Sequence, residues 1–154
     1  MANTYTQIYI QVVFAVAGRQ SLISPSFKET LYKYIGGTMR NAGQKLIAIN
    51  GMPDHVHILV GLKPNVGLSD FVKDIKVASS RFINDQRLVR GRFSWQEGFG
   101  AFSYSQSHLG KIARYIENQE RHHDKQSFRE EYLSFLKSFE IEHDERYLFK
   151  WIEP

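Results

Sequence analysis

Runs of β-branched and aromatic residues, separated by stretches with apolar residues at helical spacing, organise the chain. The strand-like runs predict β-strands over 5–16, 45–50, 55–62 and 92–104. The helical spacing predicts helices over 24–42, 70–84, 105–123 and 127–139. In chain order this is strand, helix, strand, strand, helix, strand, helix, helix. The pattern indicates an α+β fold, with one antiparallel sheet and helices packed on its faces.

Length and composition fit one globular domain. The chain has 154 residues, of which 42% are apolar and 23% are charged. It contains no cysteine, which excludes disulfides, thiolate metal sites and a cysteine nucleophile. We expect the main domain to span residues 1–123, and residues 124–154 to form an acidic helical tail packed on that domain.

Charge is distributed unevenly between these two parts. Residues 1–115 carry 14 Lys and Arg against 6 Asp and Glu, whereas residues 116–154 carry 6 against 10. The basic part, residues 1–115, suits an anionic partner. The charge distribution by itself is nevertheless more typical of an ordinary domain with a solvated surface. The longest apolar run, Val12 to Ala17, is too short to span a membrane, and the first residues lack the features of a signal peptide. We therefore expect a cytoplasmic protein without membrane contact.

The first chemical signal is a pair of histidines on the third predicted strand. Side chains alternate along a strand, so His55 and His57 point to the same face while Val56 points into a core. Two imidazoles on one face can share a metal ion or a phosphate. The alternative is a pair of solvated histidines at a strand edge. Asp54 is either a partner of these histidines or, as we favour, a turn residue.

A second signal is a polar face on the predicted helix 105–123. At 100° per residue, this face carries His108, Lys111, Tyr115, Gln119 and His122. The core side carries Leu109, Ala113 and Ile116. A tyrosine can act as a covalent nucleophile if it is activated, but it more often lies half-buried with a solvated hydroxyl. Gln119 is either a solvated residue or a neutral oxygen ligand. His122 and His123 lie near the predicted C-terminus of the helix, where a histidine interacts favourably with the helix dipole. We do not expect them to be metal ligands.

Together these motifs resemble the single-tyrosine HUH transposases of the smallest bacterial insertion sequences. The segment Met52 to Val60 is similar to the family's HUH strand, and Tyr115-Ile116-Glu117-Asn118-Gln119 is similar to its tyrosine motif. The aromatic stretch Trp95 to Gly100 is also similar, and the likeness spans roughly residues 5–123. The resemblance implies the ferredoxin-like, RRM-like fold of HUH endonucleases.

The resemblance also implies a mechanism. His55, His57 and Gln119 would bind Mg²⁺ or Mn²⁺, and Tyr115 would attack a phosphate of single-stranded DNA. The products would be a 5′-phosphotyrosine link and a free 3′-hydroxyl, so that cleavage and rejoining need no ATP. Family members recognise DNA hairpins and act as homodimers with composite sites. We therefore expect Gln119 to act in trans beside Tyr115.

DNA-binding residues are harder to assign. Arginines near aromatic residues can hold phosphates and stack bases, and the candidates are Arg81, Arg87, Arg90, Arg92, Trp95, Lys111 and His108. Solvated arginines beside a core aromatic cluster are the alternative. The chain has only Arg19 after its first strand, where the family often has several basic residues. Gly110, inside the tyrosine helix, is a poor helix former.

Three other functions compete with an element-borne transposase. The first is a domesticated relative that binds or nicks chromosomal hairpin DNA without mobilising an element. The second is a metal-dependent hydrolase that uses water in place of Tyr115. The third is a structural protein that has no chemistry.

Overall fold

The computed structural model describes residues 3–18 and 22–151, so Arg19 lies outside the described residues. Its centre is an antiparallel four-stranded sheet in the order β2-β3-β1-β4. The strands are β1 Tyr9–Ala15, β2 Lys45–Met52, β3 His55–Gly61 and β4 Gly100–Tyr104. The helices are α1 Lys28–Asn41, α2 Leu68–Asp85, α3 Leu109–Glu117, α4 Gln119–His123 and α5 Phe128–Ser138. The predicted α+β class is confirmed.

The helices cover both faces of the sheet. One face presents Phe14, Val56 and Ile58, which belong to the main core cluster together with apolar residues of α1 and α2. The other face presents the alternate residues of the same strands. There, Leu59 and Ala48 pack against Ile116 of α3, and Phe102 packs against aromatic residues of α5. The sheet therefore separates α1 and α2 from α3, α4 and α5.

The last strand is shorter than predicted. The pattern predicts a strand over 92–104, but β4 begins at Gly100 and residues 92–99 form a loop that meets the sheet through one bridge, Val16 to Trp95. Lys76 Nζ donates to the carbonyl oxygens of Gln96 and Gly98, at 2.8 and 2.6 Å. Because α2 binds these carbonyls, the loop is drawn away from strand pairing.

The tyrosine helix is also interrupted. The pattern predicts one helix over 105–123, whereas the chain forms a short 3-10 turn at Gln106–His108, then α3, then α4 after Asn118. Asn50 Nδ2 of β2 donates to the Glu117 carbonyl at 3.0 Å. That carbonyl would otherwise accept from Arg121 N, which bonds Asn118 O instead. A side chain of the sheet thus divides the helix at Asn118.

A tight hairpin places the start of β3. Pro53 and Asp54 form the turn between β2 and β3, and Asp54 O accepts from Val16 N at 2.9 Å. Gly51 pairs with Val56 across the hairpin, and a Cβ there would collide with the His55 carbonyl. Only glycine permits this close approach of the two strands.

The C-terminal segment packs on the sheet through α5. Ser127 caps this helix by accepting from Glu130 N at 3.2 Å. Phe128, Tyr132 and Leu136 are buried and share the main core cluster with the sheet. The division of the chain at residue 123 stays a prediction. Among residues 3–18 and 22–151, no helix has the length and apolarity needed to cross a membrane.

Candidate active site

The paired histidines lie at the start of β3 on the face covered by α3, α4 and α5. His55 pairs with Ala15 and His57 with Val13, so both point to one face, as strand alternation predicts. Their ring centroids are 5.0 Å apart, and neither side chain is exposed to solvent. The pair is therefore a buried polar cluster and not a solvated strand edge.

Each imidazole is held by a partner on its Nδ1 atom. Asp54 Oδ1 lies 2.7 Å from His55 Nδ1, and Gln11 Oε1 lies 2.8 Å from His57 Nδ1. Gln11 is itself oriented, because its Nε2 donates to the Tyr104 hydroxyl at 3.0 Å. Acceptors on both Nδ1 atoms leave the Nε2 atoms facing the site, which is how metal-binding histidines are oriented in proteins. Asp54 is thus both the turn residue we favoured and a partner of His55.

The tyrosine motif reaches the same place. Gln119 is fully buried at the start of α4, and its Oε1 lies 3.2 Å from His55 Nε2. The Tyr115 ring lies edge-on to His57, with centroids 6.3 Å apart. Both residues meet histidines of their own chain. The composite homodimer, in which a partner would supply them, stays a prediction.

A carboxylate that the sequence analysis did not select lies at the centre of the site. Glu131 of α5 is 2% exposed, and its Oε1 lies 3.0 Å from His57 Nε2 and 3.2 Å from His123 Nε2. Its Oε2 accepts from the Tyr115 hydroxyl and, at 3.1 Å, from Gln119 Nε2. One anion therefore joins the histidines to the tyrosine.

Burial and these contacts shift the pKa values of the cluster. Burial alone would raise the pKa of Glu131, but the surrounding imidazoles outweigh it and hold the pKa low, so the group is ionised. Burial and the Glu131 charge both raise the pKa of Tyr115, which keeps the phenol protonated. Burial lowers the pKa of His57 despite the attraction of Glu131. For His55, hydrogen bonds to Asp54 and Glu131 overcome burial and raise the pKa.

The donor set suits a divalent cation. Ligand atoms of His55, His57 and Glu131 lie within 4.8 Å of one another, and all three residues are buried. Gln119 Oε1 adds a neutral oxygen beside His55. Two nitrogens with hard oxygen ligands and no sulfur fit Mg²⁺ or Mn²⁺. The residues therefore fit the ion that the family resemblance implies.

The remaining residues of the predicted helix face are distributed differently. His122 stacks on Tyr115 with centroids 4.2 Å apart, and His123 Nε2 lies 3.1 Å from Gln119 Oε1. Lys111 and His108 are exposed one and two turns before Tyr115, and His108 Nδ1 lies 2.7 Å from Ser105 Oγ. His123, which we did not expect at the site, thus belongs to the cluster.

The candidate DNA-binding arginines lie away from this cluster. Arg81 is exposed on α2, on the opposite side of the sheet from the histidines, and Arg87, Arg90 and Arg92 are exposed in the loop after α2. Trp95 packs edge-on against Phe14 and Phe93, with its Nε1 donating to Ser79 Oγ at 2.9 Å. Trp95 is engaged in packing, which favours a core role over base stacking.

Glu131 carried a signal that the sequence analysis did not use. Phe128, Tyr132 and Phe135 are spaced as the apolar face of a helix, and Glu131 falls among them. A carboxylate on an apolar helix face must find a partner when it is buried. The pattern marks Glu131 as a buried charge, although it does not say which groups it meets.

Solved structures place this fold among the transposases with the HUH fold. A crystal structure assigned to a transposase of Deinococcus radiodurans R1 matches with a TM-score of 0.60 and 25% identity, over 77% of this chain and 95% of that one. A REP-associated tyrosine transposase bound to a REP hairpin shares the fold, with a TM-score of 0.59 and 16% identity, over 80% of this chain and 73% of that one.

Sequence comparison then gives the family. The ISDra2 transposase TnpA of Deinococcus radiodurans is 28% identical over 125 residues, which are 78% of this chain and 87% of the relative. The family profile described as transposase IS200 like matches residues 4–119. The chain belongs to the IS200-like transposase family. The matched region ends before His123 and Glu131.

Proposed function

We propose that this transposase cleaves and rejoins single-stranded DNA through a covalent link to Tyr115. The observation that carries the proposal is the convergence of His55, His57, Tyr115 and Gln119 in one cluster. Motifs separated by more than fifty residues in the sequence meet there. A purely structural protein has no need to bury two histidines, an amide and a carboxylate together.

The reaction is a phosphoryl transfer that balances without ATP. The Tyr115 oxygen forms a bond to phosphorus, and the bond from phosphorus to the 3′ oxygen breaks. The phenolic proton ends on the departing 3′-hydroxyl. The 5′-phosphotyrosine link keeps the phosphodiester, so a second 3′-hydroxyl can reverse the step onto a new strand.

The donor set supports a metal-dependent reaction. His55 and His57 would hold Mg²⁺ or Mn²⁺ through Nε2, with Gln119 as an oxygen ligand. When bound, the ion supplies Lewis-acid polarisation of the scissile phosphate. Asp54 Oδ1 bonds His55 Nδ1, and Gln11 Oε1 bonds His57 Nδ1. These bonds support a role for Asp54 and Gln11 in orienting the two imidazoles. The Tyr115 ring lies edge-on to the His57 imidazole, which supports Tyr115 as the nucleophile.

The DNA substrate is proposed to carry a hairpin. The fold relative that was solved with a REP hairpin supports this substrate class. The exposed arginines at the end of α2 and in the following loop could contact the duplex stem through phosphates. Lys111 on α3 and His108 in the 3-10 turn before it are exposed and precede Tyr115 in the chain, so they are further candidates.

A complementation experiment separates the two possible assemblies. A His57→Ala chain and a Tyr115→Phe chain are each expected to be inactive. If partners exchange their tyrosine helices, mixing the two variants restores cleavage. If each chain builds its own site, the mixture stays inactive.

The proposed chemistry is tested with end-labelled hairpin oligonucleotides from the DNA that flanks the gene. Wild-type protein with Mn²⁺ should give a labelled, protein-sized band on a denaturing gel, and EDTA should abolish it. Tyr115→Phe should give no such band, whereas the control Tyr34→Phe, at an exposed tyrosine on α1, should behave as wild type. Cleavage that persists in Tyr115→Phe without an adduct would instead indicate a hydrolase that uses water.

The domesticated alternative is distinguished by genomic context and by products. Hairpin-flanked copies of the gene would indicate a mobile element. A single copy with cleavage but no strand joining would indicate a nickase of chromosomal hairpins.

A further inference from the structure

The surface beside the proposed nucleophile is formed by α4 and the turn that follows it. The rings of Tyr115 and His122 stack with centroids 4.2 Å apart, and both residues are partly exposed. The histidines of β3, in contrast, are fully buried. Solvent therefore reaches the cluster on the side of the two stacked rings, and a DNA strand can approach Tyr115 from this side.

A hollow of about 610 Å³ opens at His122. Backbone bonds from Asp124 N to Glu120 O and from Lys125 N to His122 O continue the helical turn beyond the end of α4. Residues four apart on such a turn are neighbours, so Arg121 and Lys125 lie on one side of it. The residues that line this basic hollow are Asn118, Arg121, His122, Asp124, Lys125 and Gln126.

The two cations of the basic hollow are available to a ligand. Arg121 and Lys125 are exposed, and neither has an ion-pair partner within residues 3–18 and 22–151. The carboxylate of Glu120, next to Arg121 in the chain, instead binds Lys28 Nζ at 3.0 Å. Asp124 is the one carboxylate among the lining residues, so the lining carries a net positive charge.

These groups suit a phosphate of a DNA backbone. A guanidinium group can donate two parallel N–H bonds to phosphate oxygens, and an ammonium group binds phosphate as a point charge. The amides of Asn118 and Gln126 and the ring N–H of His122 add neutral donors to the same hollow. The hollow therefore offers both the charge and the hydrogen bonds that a single phosphate needs.

We propose that the basic hollow binds a backbone phosphate of single-stranded DNA next to the phosphate that Tyr115 attacks. The inference rests on the proposed function of Tyr115. Phosphate contacts fix the register of a strand on a protein, so this contact would decide which phosphate meets the nucleophile. His122 joins the two positions, because it lines the hollow and stacks on the Tyr115 ring. The family profile ends at residue 119 and so does not include Arg121 or Lys125.

The first test measures DNA affinity at several salt concentrations. Fluorescence anisotropy uses a labelled hairpin oligonucleotide with single-stranded flanks, in EDTA so that no cleavage occurs. Arg121→Gln and Lys125→Gln should each weaken binding, and each should lower the slope of log affinity against log salt by about 0.7. Asp124→Asn removes a repelling charge and should tighten binding. The matched controls Arg146→Gln and Lys33→Gln, at exposed positions outside the hollow, should bind as wild type does.

A second test locates the contact along the strand. A neutral methylphosphonate replaces one phosphate at a time on both sides of the cleaved position. Wild type should lose about tenfold in affinity at one neighbouring phosphate. Arg121→Gln should lose nothing further there, because both changes remove the same contact, whereas Arg146→Gln should lose as much as wild type. Wild-type sensitivity at every phosphate in Arg121→Gln, or sensitivity lost only within the hairpin stem, would overturn the proposal.

The outcomes separate this inference from the proposed function. All the substituted side chains are exposed, and thermal melting checks that each variant is folded. Coupling between Arg121 and one phosphate of the single-stranded flank, with no adduct from wild type, would support the phosphate site and refute the tyrosine chemistry. An adduct on Tyr115 without any such coupling would refute the phosphate site and leave the chemistry in place.

Discussion

Replacing Gln11 tests whether this side chain orients the His57 imidazole for metal binding. Gln11 is fully buried on β1, accepts from His57 Nδ1 at 2.8 Å and donates to the Tyr104 hydroxyl at 3.0 Å. Gln11→Leu keeps a side chain of similar size but removes both bonds. The imidazole is then free to place its proton on Nε2, the atom that faces Glu131 and the proposed cation.

The size of the effect follows from these two bonds. Losing a partner that orients a ligating histidine typically lowers metal affinity about 10- to 100-fold. That range corresponds to about 1.4 to 2.8 kcal/mol of binding free energy. The buried donor left on His57 should also lower the free energy of unfolding by about 1 to 3 kcal/mol.

Isothermal titration with Mn²⁺ and urea unfolding measure the two quantities separately. Gln44→Leu is the matched control, because Gln44 is also buried but bonds Lys63 N at 2.7 Å, remote from the histidines. It should lose stability and keep Mn²⁺ affinity. Gln11→Glu restores an acceptor and should recover the affinity. Wild-type Mn²⁺ affinity in Gln11→Leu would refute the orienting role.

Three further predictions concern packing and charge. Gly51→Ala should lower the free energy of unfolding by about 3 kcal/mol or more, because the added Cβ would collide with backbone atoms. The control Gly37→Ala, where a Cβ has open space, should not destabilise α1. Thermal melting compares the two variants. Glu131 has a lowered pKa, so its carboxylate stabilises the fold above its ordinary pKa of 4.5 and loses that effect as pH falls. The unfolding penalty of Glu131→Gln should therefore shrink below about pH 4, and a penalty independent of pH would contradict this. Trp95→Phe should lose about 1 kcal/mol from its bond to Ser79 and leave DNA affinity in anisotropy unchanged, while weaker DNA binding would restore Trp95 as a base-stacking residue.

The parts of the site that the sequence predicts are those set by local geometry. Strand alternation places His55 and His57 on one face, and the four-residue spacing brings Tyr115 and Gln119 to one side of their helix region. The first relation depends only on the alternation of side chains along a strand, and the second holds although the helix is divided at Asn118. The apolar pattern likewise predicts the order of strands and helices, which the structure confirms.

The parts that the sequence does not predict depend on contacts between distant elements. Glu131 enters the site because α5 docks on the sheet, and its partners lie 8 to 74 residues away in the chain. The break at Asn118 is made by Asn50, which is 67 residues from Glu117. The loop before β4 is held by Lys76 of α2. The periodicity of apolar residues does not predict contacts between side chains that are far apart in the sequence.

The position and polarity of the covalent link test the central claim most directly. Wild-type protein incubated with Mn²⁺ and a hairpin oligonucleotide is digested with protease and nuclease, and its peptides are analysed by mass spectrometry. We predict a 5′-phosphonucleotide on the peptide that contains Tyr115, with a free 3′-hydroxyl on the released strand. Cleaved DNA with an unmodified Tyr115 peptide, or a link at another tyrosine, would contradict the account.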